Sequence, residues 1–287
     1  MLSDSEVIVP KNIDEILEVI SKKKAAVIAG GTDLLVRIKS GITPPPKVIV
    51  ALDKISSLHK IAKKGNRVII GASATYNEIL HSELIRDNFP HLVGAAAEVG
   101  SPQIRSRGTI GGNIVNASPA GDSIPPLYTL GAELVLRCIN GERRVRIDKF
   151  IKGPGKTVLR KNELLTAIEI EIPRGKPYYF FKRLGTRRAL AVAKVSAAGY
   201  IGIDKGIVEK AKIALGAVGP TVVYSHSVEK ILLGKKLCEG IISSSAEVSK
   251  ADCNPIDDIR SEANYRREMV GVLVRRGLTK ILEEIDG

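Results

Sequence analysis

The chain has 287 residues, of which 44% are hydrophobic and 26% charged, with a net charge of +13. That length suits about two domains able to bury roughly 75% of the unfolded surface, and the composition is that of a soluble, globular chain. With 4% aromatics and no Trp, the basic excess lacks the interleaved rings of a nucleic-acid platform; no apolar run reaches the ~20 residues of a membrane span, and the N-terminus MLSDSEVIVPKN has no signal-peptide pattern, so a cytoplasmic protein is expected.

Cys138, Cys238 and Cys253 are few, odd in number and scattered, with no Cys-x-x-Cys, which argues for free thiols. His59, His81, His91 and His226 lack H-x-x-x-H spacing, so no metal site is expected. Three basic clusters, at 142–146, 182–188 and 265–277, read as solvated faces.

Residues 12–24 predict a helix with Asn12 as cap and Ile13, Ile16, Leu17 and Ile20 on one face. AAVIAGG follows as a short strand running into paired glycines. TDLLVRIKSG (32–41) has a helical start capped by Thr32 or Asp33 and a stop at Gly41. KVIVAL (47–52) completes a β-α-β unit. RVIIGA adds a strand, Thr75 and Glu78 form a capping box before a helix, and FPHLVGAAAEVG continues as helix. Asp122 or Ser123 caps a short helix with Pro125 and Pro126 in its first turn. AELVLRCINGERRVRI (132–147) reads as a hairpin turning at Asn140-Gly141, a pair suited to type I′. ELLTAIEIEIP is a strand ended by Pro173. Beyond a domain boundary near 175 come three antiparallel strands (178–185, 193–203, 208–218) and three helices (226–234, 240–251, 264–285). The last carries an apolar stripe of Val270, Leu273, Val274, Leu278, Ile281, Leu282 and Ile285.

Two glycine turns stand out. AGGTD (29–33) lies between a strand and a helix start, where glycine lets an anion approach free backbone amides. TIGGN (109–113) opens the stretch TIGGNIVNASPAGD, rich in small polar groups and free of Lys and Arg. Together the two could clamp the phosphates of a dinucleotide with backbone and small side chains alone. Read singly, a Gly-Gly pair is more often just a tight turn. Neither is a Rossmann G-x-G-x-x-G or a P-loop. No G-x-S-x-G elbow or cysteine nucleophile is visible, and the carboxylate pairs at 257–258 and 283–284 read as solvated. No catalytic residue is assigned; a bound cofactor could carry the chemistry.

VIAGGTDLL (27–35), TIGGNIVNASPAGD (109–122), FFKRLGTRRALAVAKVSAA (180–198) and DDIRSEANYRREMVGVLVRR (257–276) together resemble the FAD-binding medium subunits of molybdenum hydroxylases, the carbon monoxide dehydrogenase, xanthine dehydrogenase and aldehyde oxidoreductase family. The resemblance spans nearly the whole chain. It implies an α+β fold: a two-subdomain FAD-binding domain of the vanillyl-alcohol-oxidase (PCMH) type over 1–175, with subdomains of about 1–55 and 56–175. A smaller C-terminal domain of a three-stranded antiparallel sheet with helices would cover 176–287. It implies that Ala29, Gly30, Gly31, Thr32, Asp33 and Leu34 wrap the FAD diphosphate on one side and Thr109, Ile110, Gly111, Gly112 and Asn113 on the other. Asp122 matches a cofactor-contacting aspartate, and Lys194 a lysine near the flavin ring. Val99 stands where some relatives stack an aromatic on the flavin, and the scattered cysteines do not fit the branch with an additional iron–sulfur cluster.

The resemblance further implies an electron-transfer subunit, active only beside a small [2Fe–2S] subunit and a large molybdopterin subunit, that passes electrons through FAD to an external acceptor. The basic run 182–188 is a candidate for orienting an acidic partner. A self-sufficient FAD oxidase or reductase, or a non-enzymatic nucleotide-binding module, is the alternative.

Overall fold

The computed structural model describes residues 5–187 and 191–287. At the N-terminus, β1 (Glu6–Ile8), β2 (Ala26–Ile28) and β3 (Val48–Ala51) form a parallel sheet in the order β1-β3-β2. Helix Ile13–Lys22 crosses between β1 and β2. The Asn12 side chain accepts a hydrogen bond from the Glu15 amide at 2.9 Å, and Ile16, Leu17 and Ile20 point into a core shared with Val50, Leu52 and Leu58. The β-α-β expectation holds for β2, helix Leu34–Lys39 and β3, a parallel pair that needs such a crossover; β1 adds a strand that was not expected.

The middle of the chain builds a mostly antiparallel layer. Its strands are β4 (Ile61–Lys64), β5 (Arg67–Gly71), β6 (Glu133–Cys138), β7 (Gly141–Arg146) and, after the small β8 (Ile151–Gly153) and β9 (Lys156–Thr157) pair, β10 (Leu164–Glu171). Their order is β4-β5-β10-β6-β7, and every pairing is antiparallel. Helices from Tyr76 to Thr129 cover one face and bury Ile79, Phe89, Leu92, Ile110, Ile114 and Leu127 against Val68, Ile70 and Ile168. The other face carries an ion-pair ladder, with Arg67 between Glu133 and Glu169, and Arg144 between Glu142 and Glu169.

The last layer is an antiparallel sheet of β11 (Tyr178–Gly185), β12 (Ala193–Asp204), β13 (Ile207–Gly216) and a two-residue edge strand, β14 (Val223–Tyr224). Three strands were expected; the fourth is too short to show a period-two pattern. Helix Ala263–Asp286 lies along β11 and β12 with Val270, Leu273, Val274, Leu278 and Ile281 buried, and Leu282 and Ile285 partly buried. Phe180 fills the seam: a Cβ on Gly199 would lie 2.1 Å from its ring, and one on Gly277 2.4 Å.

Several expectations are corrected. The hairpin turns at Ile139-Asn140, with Gly141 already paired to Cys138; neither turn residue has a positive φ, so type I′ does not form, and Gly141 alone takes φ 137°. The TIGGN glycines sit inside a helix, Ile110–Asn116, rather than a loop. The basic clusters are not wholly solvated. Arg183 is 4% exposed at its side chain and Arg266 3%, each in an ion pair. Asp258, read as solvated, is held by Arg260 and Arg266, and Asp257 accepts from the Ala263 amide at the start of the last helix. Arg188, at the end of the basic run, lies outside the described residues.

Candidate cofactor-binding cleft

β2 ends at Ile28 and the chain turns through 29–33 into helix Leu34–Lys39. Among the described residues, the backbone amides of Gly30, Gly31, Thr32, Asp33 and Leu34 have no hydrogen-bond acceptor, whereas Leu35 donates to the Gly31 carbonyl at 3.1 Å. Asp33 caps the helix in position only; its carboxylate makes no cap bond. A consecutive run of unpaired amides in a half-buried turn, the last two being the free donors of a helix start, is able to receive an anion. Two glycines make its shape. Gly31 adopts φ 73°, and a Cβ on Gly30 would lie 1.8 Å from the Arg107 carbonyl oxygen, so this turn packs backbone to backbone against the approach to the second glycine pair.

The second segment works differently. Ile110 donates its amide to the Ala74 carbonyl and Gly111 to the Ala72 carbonyl, at 3.0 and 2.9 Å. The Thr109 hydroxyl accepts from the Gly112 amide at 3.1 Å, and the Thr109 carbonyl from Asn113. These amides are therefore engaged within the chain, and Gly111 is required because a Cβ there would lie 2.4 Å from the Ala72 carbonyl oxygen. What this segment offers is side chains. Asn113 Oδ1 accepts from the Ser123 hydroxyl at 3.0 Å, and Ser123 in turn meets the buried Tyr76 hydroxyl at 3.2 Å. Burial pushes the Tyr76 phenol well above its ordinary range, so it stays protonated and donates into this chain. The relay fixes Asn113 with Nδ2 as a donor that has no partner among the described residues.

Both segments face one cleft of about 520 Å³, a size usual for cofactor sites. Ala29 through Leu34 line it, as do Thr109, Gly111, Gly112 and Asn113. Ile110 does not: it is fully buried in the central core. Lys194 does not either; its ammonium lies 5.7 Å from the Tyr265 ring centroid. Val27, Leu52, Val115, Leu159 and Leu165 give the cleft apolar wall suited to planar rings. Glu163 also borders it, but Arg143 holds its carboxylate in a fork at 2.7 and 2.8 Å, which keeps it ionised well below the usual carboxyl range.

Asp122 lies behind the cleft rather than in it. Its Oδ2 accepts from Arg183 at 3.2 Å, while Oδ1 is buried without a partner among the described residues. Burial pushes this carboxyl up to about 7, against the opposing pull of Arg183 and with a further push from Glu98. Arg183 projects from β11 and also donates to the carbonyls of Glu98 and Ala191. Arg105 donates to the carbonyls of Ala97, Val99 and Gly100, each at 3.2 Å. Two guanidinium groups thus hold four successive carbonyls at the corner that presents Val99 to the cleft.

Pattern reading missed Arg37, Thr43, Tyr76, Ser123 and Glu163 as participants in or around this cleft. Only Arg37 left a trace, one helical turn after Asp33. No group of three or more His, Cys, Asp or Glu among the described residues could hold a metal ion. Nor does the cleft lining contain a histidine, cysteine or lysine among the described residues. Unpaired amides, the Asn113 donor and apolar walls fit a dinucleotide with a diphosphate and two ring systems, which is the chemistry of FAD.

A family model described as the FAD binding domain in molybdopterin dehydrogenase matches residues 3–174, and one described as the CO dehydrogenase flavoprotein C-terminal domain matches 180–281. The chain is 33% identical to the glyceraldehyde dehydrogenase medium chain of Sulfolobus acidocaldarius over 88% of this chain and 89% of that one. It is 29% identical to the nicotinate dehydrogenase FAD-subunit of Eubacterium barkeri, covering 100% of this chain and 99% of the relative. Among solved structures, carbon monoxide dehydrogenase from Hydrogenophaga pseudoflava superimposes with a TM-score of 0.92 at 30% identity, covering 97% of both chains. Quinoline 2-oxidoreductase from Pseudomonas putida 86 gives a TM-score of 0.92 at 26% identity, covering 98% of this chain and 97% of that one.

Proposed function

We propose, on the premise that this chain belongs to the family of FAD-binding medium subunits of molybdenum hydroxylases, that it relays electrons within a heteromeric dehydrogenase, between a small [2Fe–2S] subunit and an external acceptor. Substrate oxidation then takes place on a large molybdopterin subunit. The flavin, when bound, accepts electrons singly and releases them singly or in pairs. The chain divides accordingly into a two-part flavin domain to about residue 175 and a C-terminal domain beyond it. A cytoplasmic assembly suits a chain in which no helix among the described residues is long and apolar enough to cross a membrane.

The observation that carries this reading is the run of unpaired amides from Gly30 to Leu34 facing one cleft with Asn113. The turn binds and orients the diphosphate through N–H donors. The Tyr76–Ser123–Asn113 relay holds a further donor at a fixed angle. The apolar wall excludes water from the rings. Arg183 and Arg105 hold the Val99 corner of the cleft in place. Apart from Asp33, at the turn assigned to the diphosphate, no carboxylate, histidine or lysine of the described lining is free to act as a general base on a substrate, which favours relay over self-contained oxidation.

The test is spectroscopic. The purified chain is expected to show flavin absorption at about one FAD per polypeptide and to release it into the supernatant on acid denaturation, since the lining offers no His or Cys for a covalent link. A colourless protein, or flavin that stays with the polypeptide, contradicts the reading.

A further inference from the structure

We propose that Arg37 is a diphosphate-binding residue of this cleft, supplying the positive charge that the two glycine segments lack; the inference rests on the flavin reading above. Arg37 is the only Lys or Arg among the described residues lining the cleft. It lies on helix Leu34–Lys39, one turn beyond the unpaired amides. Arg37 and the turn at 29–33 line the same cleft.

The guanidinium is held in place. Its Nε donates to the Thr43 hydroxyl at 3.2 Å, the only side-chain partner it has among the described residues. The chain folds back to make this contact: Gly41 takes φ 75°, and the Thr43 amide donates to the carbonyl of Arg37 itself at 3.1 Å. Thr43 also lines the cleft. With Nε committed, the outer guanidinium nitrogens keep their hydrogens for a ligand, in the planar fork that matches two phosphate oxygens. Two carboxylates share the cleft lining: Asp33, one turn earlier, forms no ion pair with Arg37 among the described residues, and Glu163 is already taken by Arg143. An arginine pinned by Thr43 and in no ion pair among the described residues, lining one cleft with a row of empty amides, suits an anion of more than one charge.

The experiment titrates FAD into the full chain after its flavin has been removed, followed by flavin fluorescence, at a series of NaCl concentrations. Arg37→Gln is expected to weaken FAD binding about tenfold to hundredfold, as for the loss of charge-assisted hydrogen bonds, and to flatten the salt dependence, because the screened charge is gone. Arg37→Lys keeps the charge and loses the fork, so affinity falls less and the salt dependence stays. Arg37 is exposed, so both variants should keep the parent's far-ultraviolet circular dichroism. Parent-like affinity in Arg37→Gln, or weakened affinity with an unchanged salt slope, overturns the inference while leaving the flavin reading intact. A parent chain that takes up no FAD overturns the flavin reading itself.

Discussion

Asp122 is a carboxyl group that folding makes harder to ionise. Its pKa rises from 3.8 to about 7, chiefly through burial, with Arg183 and Glu98 as the charged groups facing it. Between these values the folded chain holds a proton that the unfolded chain has lost. This residue's contribution is therefore fully present below pH about 4 and is lost as the pH rises through about 7. Asp122→Asn should remove that component, changing the slope of stability between these limits by at most about 1.4 kcal/mol per pH unit. Urea midpoints of both proteins across this range check it; parallel curves would dismiss the assigned titration. At the cleft itself, Asn113→Ala should weaken FAD binding by about 1 kcal/mol, the worth of one neutral hydrogen bond, measured by the same titration. Gly112→Val should lower FAD content much further, because the only atom that a Cβ there meets is the Thr109 hydroxyl, 2.8 Å away on the cleft lining. Residue types and glycine pairs were legible in the sequence. The Asp122–Arg183 pair was not, because its members are 61 positions apart and only the fold brings them together.

Among the elements, the last helix reads clearly because its apolar stripe recurs at helical spacing. Gly277 within it reads as a weakness, since glycine costs about 1 kcal/mol relative to alanine in a helix interior. The fold gives the reason: the Phe180 ring occupies the space where a side chain would go. Gly277→Ala should therefore destabilise the chain by about 1–3 kcal/mol through overpacking, despite its better helix propensity. In a Phe180→Leu background the same change should cost less, and a double-mutant cycle in urea measures the difference. Helix Ile110–Asn116 was illegible for the converse reason. Two adjacent glycines argue against a helix by propensity, yet the carbonyls of Ala72 and Ala74 bind its first amides, and the Ala72 carbonyl leaves no room for a side chain at Gly111. The hairpin turn shows how far local chemistry reaches. Asn-Gly identified the hairpin, but pairing across the strands moved the turn back by one residue.

For the whole molecule, the subunit reading requires partners. The purified chain alone should not turn over an aldehyde, carbon monoxide or an N-heterocycle, whereas the proposed complex should oxidise a substrate of one of these classes, with the flavin reduced by substrate only when the iron–sulfur and molybdopterin subunits are present. Turnover by the isolated chain would end the subunit reading. The unpaired turn at Gly30–Leu34 also bears on how long the chain survives before assembly. A row of donors without acceptors is the part of the fold with least reason to stay closed, and local opening there exposes chain to proteases. On the reading proposed above, FAD would close it by mass action, adding about 1.4 kcal/mol for each tenfold excess over the dissociation constant. Flavin loading is then expected to act as a checkpoint on the polypeptide: limited proteolysis should nick the flavin-free chain near this turn and spare the FAD-loaded chain.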